Sequence, residues 1–520
     1  MDINKLTLEQ KIGQMFLVAV PGTELSAESK AHLLQHNLGN YIFFTQNLTG
    51  YNNIRSFSDS LQQTAQEICG IPAFISVDQE GGMVARAYSG ATIFPTNMAI
   101  TASGMKPSVK KMGAMVAAEL KSLGMNINHA PVVDVNNNPS NPIIGIRSYS
   151  DSSAVVTEMA LEYIAGLQGG GVMANVKHFP GHGDTNMDSH LALPSIDHDM
   201  NRLNKIELAP FKAAIAGGVD SVMTAHIIFK AIDSERPATL SPNVLTDLLR
   251  KQLGFEGLVI TDCMTMKAID DHYGMAQGCV MAINAGADIL CLCAKLPDQS
   301  NCYNTVLAAV KSGEISMQKI DAAVERILKY KAKYALDKND KDMQPQPEYP
   351  AHEALADEIS RKSLTLVKND GNLLPLTSKN VFAISPSSAR TSIADNFYVK
   401  REGFCQKAAE ILGCGFAEIT VNPKAEEIAG VVAQVQTAEI VLLATYNAIT
   451  NPGQVELFNT LKAAGKKVIV VSLRVPYDIL KMPNADAYIA AYEYTGRSVN
   501  NVIKAILGEI PFEGKLPVTL

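Results

Sequence analysis

The sequence predicts a (β/α)8 TIM-like barrel followed by a smaller α/β sandwich domain, and three observations carry that expectation. Eight short apolar runs rich in Val, Ile and Phe recur through the first two thirds of the 520 residues, separated by stretches with helical spacing. These runs are apolar throughout instead of alternating, as strands buried on both faces are; with intervening helices they make a parallel sheet, and eight such units close into a barrel. A polar, proline-bearing segment, DKNDKDMQPQPEYP at 337–350, then separates this array from a second alternation of the same kind. The expected division is a catalytic barrel over residues 1–336, a linker over 337–352 and a C-terminal domain over 353–520.

In chain order, the expected barrel strands are residues 15–20, 38–44, 73–77, 125–129, 171–178, 219–226, 257–262 and 287–293. The chain opens with Thr7-Leu8-Glu9-Gln10, a capping-box pattern that starts a helix. Helical spacing runs over 108–123, 201–216 and 241–253; in the last, Ser241 can cap, Pro242 suits the first turn and Gly254 suits the stop. A helix over 316–335, with Ile320, Val324, Ile327 and Leu328 on one face, ends the barrel. Beyond the linker, apolar runs at 381–384, 419–421, 440–444, 467–473 and 487–491 imply a smaller open sheet. None of them leads into a GxGxxG or GxxxxGK loop, so this domain does not read as a nucleotide site.

Composition excludes several classes. A net charge of -7, with no basic run interleaved with aromatics, argues against nucleic acid as a partner. No apolar run approaches the roughly 18 residues a membrane span needs, and Met1 leads straight into the capping box, so the chain as given reads as cytoplasmic. The eight cysteines show no CxxC spacing and sit mostly in apolar runs, as reduced, buried thiols do.

In a barrel, polar residues at the C-terminal ends of strands face the active-site rim. Asp78-Gln79-Glu80 follows the third run, His129 and Asp134 the fourth, Lys177 and His178 the fifth, Thr224 and His226 the sixth, and Asp262 ends the seventh. Capping or turn roles explain any one of these residues and explain five in register poorly. The densest cluster is GVMANVKHFPGHGDTNMDSHLALP, residues 171–194, with three of the ten histidines, His178, His182 and His190. A lone Asp at a strand end is more often a cap or ion-pair partner than a nucleophile. On such a rim, however, Asp262 can attack the anomeric carbon of a sugar while a donor on the other face protonates the leaving oxygen. Asp188-Ser189-His190 offers that donor, an imidazole that a nearby carboxylate can orient and keep protonated, and general acid help of this kind is typically worth about 10²–10⁴ in rate. His178, His182 and Asp184 have the composition of a metal site, but Pro180-Gly181 breaks the helix that HxxxH ligation usually relies on, and no metal or cofactor is expected.

The whole pattern resembles glycoside hydrolase family 3, in its two-domain form and its β-N-acetylglucosaminidase (NagZ-like) branch. The resemblance rests on the stretch from Lys177 to Thr185 (KHFPGHGDT) followed by Asp188-Ser189-His190, on Asp78-Gln79-Glu80-Gly81-Gly82 with Arg86, on the stretch from Asn141 to Ser148 (NPIIGIRS), and on that from Thr261 to Met266 (TDCMTM). Weaker matches at 363–369, 373–376 and 514–518 extend it over the second domain. It implies a retaining exo-β-N-acetylglucosaminidase acting on muropeptides or related glycosides, as in peptidoglycan recycling. Asp262 would be the nucleophile, His190 the acid/base and Asp188 its partner. Asp78, Arg147, Lys177 and His178 would grip sugar hydroxyls, with Arg86 in the same motif. The family commonly carries a second acid after the nucleophile, where this chain has Cys263. A neutral histidine base also tolerates phosphate as acceptor, so a phosphorylase is an alternative. Others are a β-glucosidase or xylosidase whose acid is Glu493 of the second domain, and a sugar-binding protein without turnover.

Overall fold

The computed structural model describes residues 2–187, 193–334, 348–387, 395 and 403–520. Its first sheet has eight parallel strands: β1 (Phe16–Ala19), β2 (Asn40–Phe43), β3 (Phe74–Val77), β4 (Ile127–Asn128), β5 (Met173–Phe179), β6 (Ser221–Thr224), β7 (Leu258–Ile260) and β8 (Leu290–Leu292). Going round the sheet, β7 neighbours β6 and the order runs down to β1, which pairs with β8. A single parallel bridge, Ile260 to Ile289, spans the remaining gap, so the sheet is a nearly closed barrel. All eight runs expected from the sequence are strands, and β2, β3 and β5 are buried at every residue.

Around β4, asparagine side chains take over part of the ladder. Asn126 Oδ1 accepts from Ile75 N at 2.9 Å while its Nδ2 donates to Ala73 O at 3.1 Å. Asn128 does the same to the backbone of Gln79, at 2.9 and 3.0 Å. A side-chain amide presents the same donor and acceptor as a peptide group, so β4 is held in register with only two residues of ladder.

Two helical expectations are corrected. The stretch over 201–216 is two helices, Met200–Lys205 and Leu208–Ala216, because Pro210 has no N–H to bond the carbonyl of residue 206. The stretch over 241–253 winds as a π-helix, Asn243–Gln252, and closes with Leu253 N donating to Leu248 O at 2.9 Å. Its ends are as expected: Ser241 Oγ accepts from Val244 N at 3.3 Å, and Gly254 takes φ +66°. At the start of the chain Thr7 and Gln10 exchange both capping-box bonds.

The second sheet contains β9 (Thr365–Lys368), β10 (Val381–Pro386), β11 (Gly415–Ile419), β12 (Ile440–Thr445), β13 (Lys467–Ser472) and β14 (Ala487–Ala490). Its order is β9-β14-β13-β12-β10-β11, antiparallel only between β9 and β14. The edge strands are the two that apolar runs misplace. No apolar run marks β9, and β11 begins ahead of the expected 419–421, because each carries half-exposed or exposed residues that break the run.

The helix Tyr349–Ser363 starts inside the expected linker and docks on the barrel, with His352 Nδ1 2.6 Å from a Glu119 oxygen and Tyr349 OH donating to Gly90 O at 2.7 Å. Loops that follow β3 and β4 carry the second domain: Met83, Met98 and Ile146 share one apolar cluster with Val475, Tyr477, Tyr492 and Tyr494. Thr96 Oγ1 donates to Tyr492 O at 3.1 Å and Asn136 Nδ2 to Tyr477 OH at 3.1 Å across the same seam. Both domains therefore meet at the rim where the strands end. Among the described residues, no helix is long and apolar enough to cross a membrane.

Candidate active site

The C-terminal ends of the strands open into a cavity of about 730 Å³. Asp262, Asp78, Arg86, Arg147, Lys177 and His178 all line it, six of the eight residues singled out from the sequence. The other two, Asp188 and His190, lie outside the described residues.

Four charged groups form its most ordered wall. Asp78 leaves the end of β3, and the chain then makes a tight hairpin, Gln79–Gly81 against Val84–Ala85, that brings Glu80 and Arg86 round to the same side. Gly81 is needed at this turn: its φ is +109°, and a Cβ there would meet Pro95 O at 2.6 Å. Lys177 Nζ, from the end of β5, sits 2.6 Å from both Asp78 Oδ1 and Glu80 Oε1. Arg147, on the short helical turn Gly145–Arg147, grips Glu80 with two bonds of 2.8 Å. Two carboxylates and two cations are thus linked, with Glu80 as the hub, and Arg86 adds a third cation near Asp78.

Burial pushes the Asp78 carboxyl up, but Lys177 foremost among its neighbours more than reverses this and holds it well below the usual carboxylate range. Burial likewise raises Glu80, and Arg147 followed by Lys177 overcomes it, leaving the group ionised. Lys177 loses to burial and gains more from Asp78 and Glu80, so it stays charged. Asp78 keeps 17% of its side chain exposed against 3% for Glu80, so of the two carboxylates lining the cavity Asp78 is the more open and Glu80 the more fully enclosed by its cations.

Asp134 organises the histidine loop. Its Oδ1 accepts from His178 N at 3.1 Å and His182 N at 2.7 Å, and its Oδ2 lies 2.7 Å from His178 Nδ1. Burial, then the nearby Arg147, pushes His178 down to about 3, so the ring is neutral at ordinary pH. A neutral ring beside a carboxylate carries its hydrogen on Nδ1, which leaves Nε2 as an acceptor. The asparagine of the NPIIGIRS stretch ties two loops together: Asn141 Nδ2 donates to His182 O and Gly183 O, both at 2.8 Å, and its Oδ1 accepts from Ile143 N and Ile144 N.

Asp262 follows β7 by two residues, and its Oδ1 accepts from Cys263 N at 2.7 Å. Behind it His226 Nε2 donates to Cys263 O at 3.0 Å, since a carbonyl can only accept; His226 thus anchors the loop bearing the carboxylate. His129 is buried inside the barrel against Ser76 and Asn175, and Thr224 against Thr239, so these three rim candidates support the site from behind.

The chain on either side of 188–192 is pinned. Asp184 Oδ2 lies 2.8 Å from His198 Nε2 and 3.3 Å from Arg202 Nη2, and Arg202 reaches Glu207 at 3.2 Å. His182 turns instead to Thr185, at 2.9 Å. The set His178, His182 and Asp184 weighed from the sequence therefore does not converge. Asp184, His198 and Glu207 do lie close together, but the Arg202 guanidinium occupies the space among them.

The amino-terminal part of the chain matches the glycosyl hydrolase family 3 N terminal domain over residues 7–330, and the remainder matches the glycosyl hydrolase family 3 C-terminal domain over residues 364–520. The chain belongs to glycosyl hydrolase family 3. It is a glycoside hydrolase with the two-domain fold of that family. A beta-hexosaminidase A from Pseudoalteromonas piscicida is 32% identical over 568 residues, spanning 96% of this chain and 92% of the relative. A beta-N-acetylglucosaminidase/beta-glucosidase from Cellulomonas fimi is 28% identical, spanning 88% and 85%. The solved structure of a family 3 beta-N-acetylglucosaminidase from Paenibacillus sp. str. FPU-7 matches with a TM-score of 0.91 and 38% identity over 99% of both chains.

Against this family background, Glu493 of the second domain is only 1% exposed, lies against Gly82 and does not line the cavity. The second domain contributes Asp395 instead, held by Arg474 Nη1 at 2.7 Å and Tyr446 OH at 2.9 Å. Nothing near it in the sequence forms a rim or a motif. Glu80 and Asp134 were on the expected rim but carried no assigned role; their importance lies in whom they bond, which spacing does not report. Cys263, Cys291 and Cys293, expected in the core with the other thiols, line the cavity. Strand ends on the rim look apolar in sequence whether they face the core or the cleft.

Proposed function

We propose that this chain is a retaining exo-β-N-acetylglucosaminidase that removes terminal N-acetylglucosamine from muropeptides or related glycosides. One observation carries the reading: Asp262 opens into the same cavity as the linked wall of Asp78, Glu80, Arg147 and Lys177. Carboxylates and cations fixed in a largely buried wall suit a ring of sugar hydroxyls, because each hydroxyl both donates and accepts. The names of the relatives supply the acetamido preference.

In this mechanism Asp262 attacks the anomeric carbon as the glycosidic bond breaks, while protonated His190 gives its proton to the leaving oxygen. The products of this step are the free alcohol, a glycosyl ester on Asp262 and a neutral imidazole. Asp188 orients the ring and favours its charged form. Neutral His190 then takes a proton from water as the water oxygen attacks the ester carbon, restoring both residues and retaining the anomeric configuration. Asp78, Arg147, Lys177 and His178 hold the sugar meanwhile, with Arg86 beside them.

The test is steady-state kinetics of the wild type, Asp262→Asn and His190→Ala on aryl N-acetylglucosaminides with good and poor leaving groups. Asp262→Asn abolishes turnover on both. His190→Ala loses about 10²–10⁴ on the poor leaving group and far less on the good one. Equal losses on the two substrates would remove His190 from the acid role, and faster turnover of aryl glucosides than of aryl N-acetylglucosaminides would overturn the substrate assignment. Release of sugar 1-phosphate in phosphate buffer would convert the hydrolase into a phosphorylase.

A further inference from the structure

Beside Asp262 lies a cluster of thiols that the proposed hydrolysis does not use, packed at the edge of the barrel core. Cys291 is in β8 and Cys293 follows one residue beyond its end, while Cys263 follows Asp262 beyond β7. All three line the cavity, and their sulfur atoms lie within 4.8 Å of one another. Cys291 Sγ and Cys293 Sγ are 3.8 Å apart, and Thr265 Oγ1 is 3.0 Å from Cys263 Sγ. None is in a disulfide.

The spacing is informative. Metal-to-sulfur bonds of about 2.3 Å at tetrahedral angles put two thiolates about 3.8 Å apart. One edge of the triangle already has that length, and the other two are within 4.8 Å, at most about 1 Å longer. Three sulfurs supply three of four tetrahedral positions, and because all three residues line the cavity, water or an oxygen of an occupant can complete the shell. Soft sulfur donors without carboxylate or imidazole select thiophilic cations over Mg²⁺ or Ca²⁺. Cysteines that only fill core space need neither mutual contact nor access to the cleft.

We propose that Cys263, Cys291 and Cys293 form an inhibitory binding site for a thiophilic cation of the Zn²⁺ or Cd²⁺ class, which competes with the sugar at the floor of the cleft. Binding converts three thiols to thiolates: one divalent cation enters, three metal–sulfur bonds form and three protons leave to solvent. The bound ion takes space next to the nucleophile, so it and a sugar in the cavity exclude each other. It plays no part in the reaction.

The probe is Cd²⁺ alone, titrated into the reduced full-length protein. Binding is followed by the ultraviolet sulfur-to-cadmium charge-transfer band, by equilibrium dialysis and by cadmium NMR, and inhibition by initial rates on an aryl N-acetylglucosaminide. The expected result is one Cd²⁺ per chain, a resonance in the thiolate region, inhibition competitive with substrate, and no effect of Mg²⁺ at equal concentration. Cys293→Ser weakens binding at least tenfold, whereas Cys69→Ser, remote from the cleft, does not. A band unchanged in Cys293→Ser, inhibition independent of substrate concentration, or no thiolate resonance in the wild type would each overturn the proposal. The NMR reading needs no variant, so a poorly folding Cys293→Ser leaves the proposal open to refutation. The dialysis and NMR results stand apart from the hydrolase reading: a protein inactive on every aryl glycoside but binding Cd²⁺ as described refutes that reading alone.

Discussion

Replacing Glu80 by Gln tests whether the charged wall is organised as its geometry indicates. Glu80 Oε1 takes Arg147 Nη2 at 2.8 Å and Lys177 Nζ at 2.6 Å, while Oε2 takes Arg147 Nε at 2.8 Å. The three side chains are 3%, 6% and 3% exposed, so solvent screens them little. Glutamine keeps the volume, removes the charge and turns an NH₂ group toward one of the two cations. Stripping one partner from a buried pair costs about 3–5 kcal/mol. Asp78 still compensates Lys177 here, which places the expected loss near the lower figure, about 3 kcal/mol. The chain has no Trp, so urea unfolding is best followed by far-ultraviolet circular dichroism, with the two domains fitted separately. Kinetically, KM for an aryl N-acetylglucosaminide rises at least tenfold, equivalent to about 1.4 kcal/mol, because Arg147 and Lys177 lose the group that aims them. A cycle with Arg147→Met completes the test: the double variant should lose less than the sum of the singles, since it no longer buries an unpaired guanidinium. A Glu80→Gln loss under about 1 kcal/mol, together with an additive cycle, would refute the hub role.

Two further outcomes follow from the same geometry. Burial above all holds His129 and His182 down at about 4 and His178 at about 3, from 6.5. The unfolded chain therefore binds protons below about pH 6.5 that the folded chain refuses, and stability falls as pH drops from 6.5 toward 4, on the order of 3 kcal/mol for each ring. Asp134, raised by burial from 3.8 to about 6, has the opposite sign over the same window and offsets about one of the three. Urea midpoints at pH 7, 5 and 4 should decline in step, and a midpoint that rises on acidification would contradict the neutral-histidine assignment. Gly183→Ala should cripple both stability and kcat/KM, because the new Cβ would lie 1.7 Å from the backbone oxygen of Val135 and force the histidine loop off Asp134. Overpacking of this kind typically costs about 1–3 kcal/mol, and activity within twofold of wild type would show that the loop position is not needed.

Strand existence, helix starts and the rim were readable because each rests on neighbours in sequence. All eight barrel runs are strands, the Thr7 capping box forms, and Asp78, Lys177 and Asp262 reach one cavity, since a residue at a strand end has its direction set by the strand. Where neighbours did not decide, the reading slipped: Pro210 splits a helix of unbroken periodicity, and β9 and β11 hide behind the exposed residues of sheet edges.

By itself the chain of residues determined the architecture and set Asp78, Lys177 and Asp262 on one rim, through hydrophobic period and strand direction. Only the tertiary structure decided the partnerships. Glu80 reaches Arg147 across 67 residues, Asp134 reaches His178 across 44, Asp395 arrives from the other domain, and Cys263 meets Cys291 and Cys293 from a neighbouring strand. The reason is that burial and charge compensation depend on distance in space, and closing a barrel sets those distances between strand ends that sequence separation leaves unrelated.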